Sequence, residues 1–397
     1  MPLFSSSKDH TKTKDETPEM MIPSRHYGDD MFYSTDERNC CEEEIHTTNR
    51  SIFKRKNKGC GQIIRCQETK QDQELIDHSE KLVDLCFVVD NTSSMSSEID
   101  VAKETIQTII TTLHKHYQSD IRFSAISYRD HTDDYAVKEY PFTTNVDTAK
   151  QFISEMAAVG GGDYPEALAS ALLVLSKKEF NKKGRKIVVW IADAPPHGMN
   201  ASGDEYPEGD KDENGNKIDW IKLGDYMKEK NVVFYTIICE RSKDDQQLSL
   251  FMDYLATKTD GKCLLLTQAN KVPSIIINGC VEDDSMDKLI EEKIKELGEE
   301  RVKQMKEEDI VNEIHKLSES RKVAQVQAYE VKSKNTEELL KCSDLSSVDT
   351  KLFVTNTNRL EMDVKTTGDD FEYGEMNCES VSHAKVKKAF YRNARKK

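Results

Sequence analysis

The chain has 397 residues, a formal net charge of −15, and 32% charged against 37% hydrophobic residues. That length suits one domain of about 200 residues with substantial flanks, or two domains. The acidic balance argues against broad nucleic-acid binding, because a phosphate backbone repels an acidic surface, and the cysteines are too few for a disulfide scaffold in so long a chain. The opening residues lack the apolar segment of a secretory signal, and no uninterrupted apolar run reaches membrane-spanning length, so an intracellular, cytoplasmic protein is expected.

In chain order, residues 1–80 are polar with no sustained apolar period and read as a largely disordered tail. Cys40, Cys41, Cys60 and Cys66 fall in this stretch, but their spacing fits no standard zinc-ligand pattern. Over 81–281 the texture changes. Apolar strand candidates at 82–89, 121–128, 186–192, 232–238 and 262–266 alternate with helical patterns at 98–117, 147–156, 164–175, 218–228 and 246–257. This alternation predicts an α/β, doubly wound, Rossmann-like domain with a mostly parallel sheet and helices on both faces. A short edge strand is expected over 137–142, limited by Pro141. Cys86, Cys239 and Cys263 lie on the apolar strands and read as small hydrophobes.

Residues 282–322 are highly charged, with apolar residues at helical spacing: Ile290, Ile294 and Leu297, then Ile310, Ile314 and Leu317. The two stripes are out of heptad register across Gly298, so a helical pair packed on the main domain is expected rather than one long coiled coil. Residues 323–397 are mixed and end in a run of lysines and arginines without an acid from Ser382 onward. Such a tail suits weak contact with an anionic membrane, or simple solvation.

Three segments carry the candidate chemistry, all expected at one edge of the sheet. The first strand ends in Asp90-x-Thr92-x-Ser94, closely spaced hard oxygen donors where open α/β sheets bind ligands. The second segment is Gly160-Gly161-Gly162-Asp163-Tyr164-Pro165-Glu166, read as a glycine loop opening a helix with Asp163 as N-cap and Pro165 in the first turn. The third is Asp193, which ends the strand 187–192 and precedes Ala194-Pro195-Pro196-His197-Gly198. Magnesium takes a near-octahedral shell of hard oxygens and keeps some waters, so a few carboxylates and hydroxyls on separate loops suffice. Asp90, Thr92, Ser94, Asp163 and Asp193 are therefore the candidate ligands for Mg²⁺ or Mn²⁺. Further along, Asp210, Asp212, Asn214 and Gly215 imitate the start of a calcium loop, but Ile221 stands where the closing bidentate acid is required. His197 reads as a structural or supporting residue, with a ligand role as the alternative.

The three motifs together resemble the von Willebrand factor type A domain with its metal-ion-dependent adhesion site, and within it the branch found in hemicentins and vwkA-type alpha-kinases. The resemblance covers about Leu82 to Val281. It implies that Asp90, Thr92 and Ser94 form the first metal loop, with Thr92 in place of the commoner serine, and that Asp193 is the third-loop aspartate. The second loop departs, with Gly162-Asp163 where the family usually has threonine. A carboxylate there ligates metal directly but weakens the pull on a partner's acidic side chain. The resemblance implies a non-catalytic protein-binding module whose partner completes the metal shell with an acidic residue. The alternative is a regulatory relative of alpha-type serine/threonine kinases; no glycine-rich nucleotide loop follows Val281, so phosphotransfer is not expected. An aspartyl-phosphate hydrolase also places Asp after its first strand, but Thr92 stands where its general acid is needed.

Overall fold

The computed structural model describes residues 42–47, 50–57, 60–66, 82–117, 120–182, 184–321, 331–353, 383, 386–387 and 389–391. The strands are β1 (Glu42–Thr47), β2 (Arg50–Asn57), β3 (Cys60–Cys66), β4 (Val83–Asp90), β5 (Ile121–Tyr128), β6 (Val137–Thr143), β7 (Arg185–Ala192), β8 (Val232–Ile238) and β9 (Lys262–Leu265). Hydrogen bonding orders them β1-β2-β3-β6-β5-β4-β7-β8-β9. From β5 through β9 the pairing is parallel, and β6 runs antiparallel to β5. The helices are α1 (Ile99–Tyr117), α2 (Val146–Ser154), α3 (Leu168–Ser176), α4 (Trp220–Glu229), α5 (Gln246–Lys258), α6 (Val272–Leu297), α7 (Glu299–Gln304), α8 (Glu307–Arg321) and α9 (Thr336–Leu339).

Both faces of the sheet are covered, which explains why its strands read as continuous apolar runs rather than as alternating ones. Along β4, Leu85, Phe87 and Val89 enter one buried layer with α1, α2 and the start of α6, while Cys86 and Val88 enter the other with α3, α4 and α5. β7 repeats the pattern, with Ile187, Val189 and Ile191 on the first side and Val188 and Trp190 on the second. Each such fully buried large side chain contributes roughly 1.5–3 kcal/mol. At the amino end of β4, Arg122 donates two 2.8 Å hydrogen bonds to Asp84, and both residues are buried.

Within 1–80, read from sequence as a disordered tail, residues 42–47, 50–57 and 60–66 form three antiparallel strands that extend the sheet. The strands are short and rich in charged residues, so no sustained period marks them; the better signal is the two-residue spacing between paired ends, Thr47 to Arg50 and Asn57 to Cys60. Cys40 and Cys41 lie outside the described residues. The 137–142 strand is not an edge, because β3 pairs with Val137–Glu139. Pro141 lies beyond that pairing and beside a register shift opposite β5, so its missing N–H breaks no ladder there.

The helix expected from Tyr164 starts only at Leu168, capped by neither Asp163 nor Pro165. Glu166 instead forms a parallel bridge with Pro196, its N–H donating to Pro195 O at 3.0 Å, and that pairing holds the chain extended until Ala167.

The charged region contains helices. Val272, Ile275 and Ile276 of α6 join the layer under α1, and its later residues Met286, Leu289 and Ile290 pack with Ile310, Val311 and Ile314 of α8. Gly298, at φ 78°, ends α6. Val386 and Ala389 of the basic tail enter this small cluster, with Lys387 paired to Glu308 at 2.6 Å. The 331–353 segment, for which sequence gave no fold, straps the β9 and α5 side. Val331 N–H bonds Cys263 O at 2.8 Å, Ser333 N–H and the Thr336 hydroxyl donate to Asp253 Oδ2 at 2.9 and 2.6 Å, and Phe353 packs near Trp220. Among the described residues, no helix is long and apolar enough to cross a membrane.

Candidate functional site

The strand order reverses at β4, with β5 on one side and β7 on the other, which opens a crevice at the carboxyl ends of these strands. Asp90 ends β4, and Asp193 follows the last residue of β7; both are fully buried. Beyond Asp90 the chain turns into a short 3₁₀ helix over Ser93–Ser97. Asp90 organises that turn: its Oδ1 accepts from the Thr92 N–H at 3.0 Å and from the Thr92 hydroxyl at 2.7 Å. The Thr92 and Ser94 hydroxyls lie 2.9 Å apart, so these three residues face one point.

The glycine loop lies against the turn. Ser93 N–H donates to Gly160 O at 3.0 Å, and Val159 N–H to Asn91 O at 3.0 Å. Gly161 has φ +87°, and a Cβ there would come within 3.2 Å of Glu166 Oε1 and 3.3 Å of Thr92 Cβ. A side chain at this position is thus disfavoured by backbone conformation and by closeness alike.

Glu166 is the residue that sequence reasoning passed over. It is 2% exposed, pinned by its bridge to Pro196, and its carboxyl is pushed up to about 11 by burial and then by the charges of Asp90, Asp130 and Asp193. Its signal in the sequence is modest: one charge at the head of the uncharged run Ala167–Leu175. Burial and the neighbouring Asp193 likewise push Asp90 up to about 7. Burial raises Asp193 as well, while Ser94 and Arg241 pull it back. Arg241 reaches in from the surface, Nη2 donating to Asp193 Oδ2 at 2.8 Å, with its Nε 3.8 Å from Glu98 Oε2. Asp90 Oδ2, Asp193 Oδ1 and Glu166 Oε2 are buried and make no hydrogen bond among the described residues. Buried carboxylate oxygens rarely lack a partner, and a cation is one group that satisfies several together. The donor set, carboxylates and hydroxyls without nitrogen or sulfur, fits magnesium or manganese.

Asp163 has contacts of its own. Gly162 N–H is tied to Asp130 Oδ2 at 3.1 Å, and beyond it the Asp163 Oδ2 accepts from the Glu205 N–H at 2.6 Å. Asp163 falls in a second cluster with Asp130 and His197, where one ligand atom of each lies within 4.8 Å of the others. Burial raises its pKa, against the pull of Glu205 N–H and His197. His197 is 2% exposed; its Nδ1 lies 2.8 Å from Asp204 Oδ1, and its Nε2 approaches Asp130 Oδ1 to 3.3 Å, off the direction of a hydrogen bond. Burial disfavours the His197 cation, but Asp130, Asp210 and Asp204 outweigh it and lift the ring to about 9. Burial also works against ionisation of Asp130, yet His197, Thr132 and the His131 N–H hold its carboxyl at about 2. His131 stacks on His197, its Nε2 3.1 Å from Asp210 Oδ1, and Tyr206 packs edge-on against both rings. Sequence reasoning gave His197 a supporting role and did not join it to Asp130, which lies far from it in the chain.

Residues 84–201 match the family model described as von Willebrand factor A domain, in agreement with the resemblance carried by the three motifs. An ariadne-like RING finger protein of Acanthamoeba polyphaga mimivirus is 32% identical over 200 residues, covering 49% of this chain and 19% of that protein. The alpha-protein kinase vwkA of Dictyostelium discoideum is 33% identical over 193 residues, covering 48% of this chain and 30% of the kinase. The chain thus spans less than a third of the length of either relative. Among solved structures, the pilus adhesin SpaC of Lactobacillus rhamnosus GG aligns with a TM-score of 0.39 at 12% identity, covering 63% of this chain and 36% of that one.

Proposed function

We propose that the von Willebrand factor A domain of this chain, a protein-interaction module, holds a divalent cation, Mg²⁺ or Mn²⁺, and uses it to recognise a protein partner through an acidic side chain. The observation that carries this reading is the set of three buried carboxylate oxygens, on Asp90, Asp193 and Glu166, without hydrogen-bond donors among the described residues at the carboxyl end of the sheet. Asp90, Thr92, Ser94 and Asp193 would hold the cation, with Glu166 beside them and Asp163 left out. When bound, the cation would neutralise these carboxylates and offer a Lewis-acidic position to a carboxylate. Without it, an acidic partner meets a cluster of like charges, eased by Arg241.

Exposed apolar residues on the same loop support the reading. Val159 is 54% and Tyr164 44% exposed, and they flank Gly160–Gly162 as an apolar rim would. On this reading the chain binds and does not catalyse. The test is affinity capture with full-length wild type and Asp193→Ala, each with Mg²⁺ or chelator. Partners retained by wild type in Mg²⁺ and lost in the other three conditions support the proposal. Partners retained equally in all conditions refute a metal-gated face.

A further inference from the structure

We propose a second metal site, separate from the magnesium face, in which His197, Asp130 and Asp163 bind one zinc-type dication and Asp204 fixes the histidine from behind. The arrangement differs in chemistry from the first site. A nitrogen donor joined to two carboxylates suits a borderline transition metal rather than magnesium.

Four observations carry it. First, the three residues each place a ligand atom within 4.8 Å of the other two, although they come from the loops after β5, before α3 and after β7. Second, the buried His197 Nε2 faces Asp130 Oδ1 at 3.3 Å without a hydrogen bond, and Asp163 Oδ1 is a buried oxygen that also has none among the described residues. Bonds of about 2.0–2.1 Å from a tetrahedral zinc separate neighbouring ligand atoms by about 3.3 Å, so this contact has the length of a zinc-site edge. Third, the opposite side of every ligand is already fixed. His197 Nδ1 meets Asp204 Oδ1 at 2.8 Å, and that carboxylate is held in turn by the N–H groups of Gly198 and Tyr206, each at 2.8 Å. Asp130 Oδ2 accepts from the Thr132 hydroxyl at 2.8 Å, and Asp163 Oδ2 from Glu205 N–H. A carboxylate behind a ligating imidazole sets the tautomer and leaves the other nitrogen's lone pair for the metal. Fourth, with Nδ1 donating to Asp204, an uncharged ring would leave its buried Nε2 lone pair 3.3 Å from the lone pairs of Asp130, a repulsion that a cation on Nε2, proton or metal ion, relieves.

The rival occupant is therefore the proton, making His197 an imidazolium clasped by two carboxylates. The experiment separates the two. Full-length protein is stripped of metal and titrated with Zn²⁺ by calorimetry in excess Mg²⁺, which keeps the first site filled, with Co²⁺ as a spectroscopic probe. Wild type is expected to bind one Zn²⁺ and to give the intense visible bands of non-octahedral cobalt. Asp163→Asn, at a half-buried position where folding is preserved, should weaken Zn²⁺ at least about tenfold, and Asp204→Asn by about 10–100-fold. Asp90→Asn should leave Zn²⁺ binding intact, so failure of the magnesium proposal and failure of this one are distinguishable. Wild type that takes up no Zn²⁺ under these conditions, or Asp163→Asn that binds as wild type does, overturns the site in favour of the proton.

Discussion

Replacing Asp90 by asparagine should stabilise the protein in chelator and abolish its response to magnesium, with the two effects carrying opposite signs. Asn keeps an oxygen to accept from Thr92, so the turn survives. What changes is charge. Burial and Asp193 raise Asp90 from 3.8 to about 7, so the metal-free folded state holds its proton more tightly than the unfolded chain does. A raised carboxyl makes its full contribution below pH ~4 and loses it as pH climbs towards 7, at about 1.4 kcal/mol per pH unit, or about 4 kcal/mol in all. Asp193 shares that titration, so about 4 kcal/mol is the upper end. Asn escapes the loss. For a domain of this size, about 2–4 °C accompanies each kcal/mol, so Asp90→Asn in chelator should melt about 10 °C above wild type at pH 8 and close to wild type at pH ~4. Saturating Mg²⁺ should narrow that gap at pH 8, since a ligand at 100 times its Kd adds about 2.7 kcal/mol to wild type and nothing to the variant. Differential scanning calorimetry over both pH values, with and without Mg²⁺, measures all of this. A variant less stable than wild type in chelator at pH 8, or one that gains as much from Mg²⁺, refutes the reasoning.

Asp84→Ala strands the buried Arg122 guanidinium at the far end of β4 and should destabilise the protein by about 3–5 kcal/mol, read as a lower urea midpoint at unchanged slope. Arg241→Ala frees Asp193 Oδ2 from its 2.8 Å partner and should tighten Mg²⁺ about fivefold in calorimetry, the equivalent of ~1 kcal/mol for a half-exposed pair; an unchanged or weakened affinity would show that Arg241 does not compete for that oxygen. Asp253→Ala removes the acceptor of Ser333 N–H and the Thr336 hydroxyl, so limited proteolysis should cut within 331–353 at least about tenfold faster, as expected when about 1.4 kcal/mol or more of local stability is lost.

The central strands were legible because each is buried on both faces and therefore apolar throughout, and Asp90, Thr92 and Ser94 because their relationship is local and written in adjacent residues. Asp193 was legible for the same reason, as a charge ending an apolar run. Glu166 was not, since its burial depends on a bridge to Pro196, thirty residues away, that also delays the helix sequence assigned to it. The grouping of Asp130, Asp163, His197 and Asp204 was hidden for a related reason: Asp130 and Asp163 sit on loops remote in sequence from the connection after β7 that carries His197 and Asp204, and the fold brings these loops together at one end of the sheet. Asp163 looked like a cap because its neighbours are glycine and proline, whereas in the fold the backbone of Glu205 claims it. The strands β1, β2 and β3 escaped notice because short, charged strands gain their order from pairing more than from hydrophobic pattern.

The central claim is that Asp90, Thr92, Ser94 and Asp193 hold a divalent cation, and isothermal titration of Mg²⁺ into full-length, metal-stripped wild type and Asp193→Ala tests it most directly. The account predicts one chelator-reversible Mg²⁺ site in wild type and at least about tenfold weaker binding in the variant, a loss of ~1.4 kcal/mol or more. Wild type that binds neither Mg²⁺ nor Mn²⁺, or Asp193→Ala that binds with wild-type affinity, would contradict it.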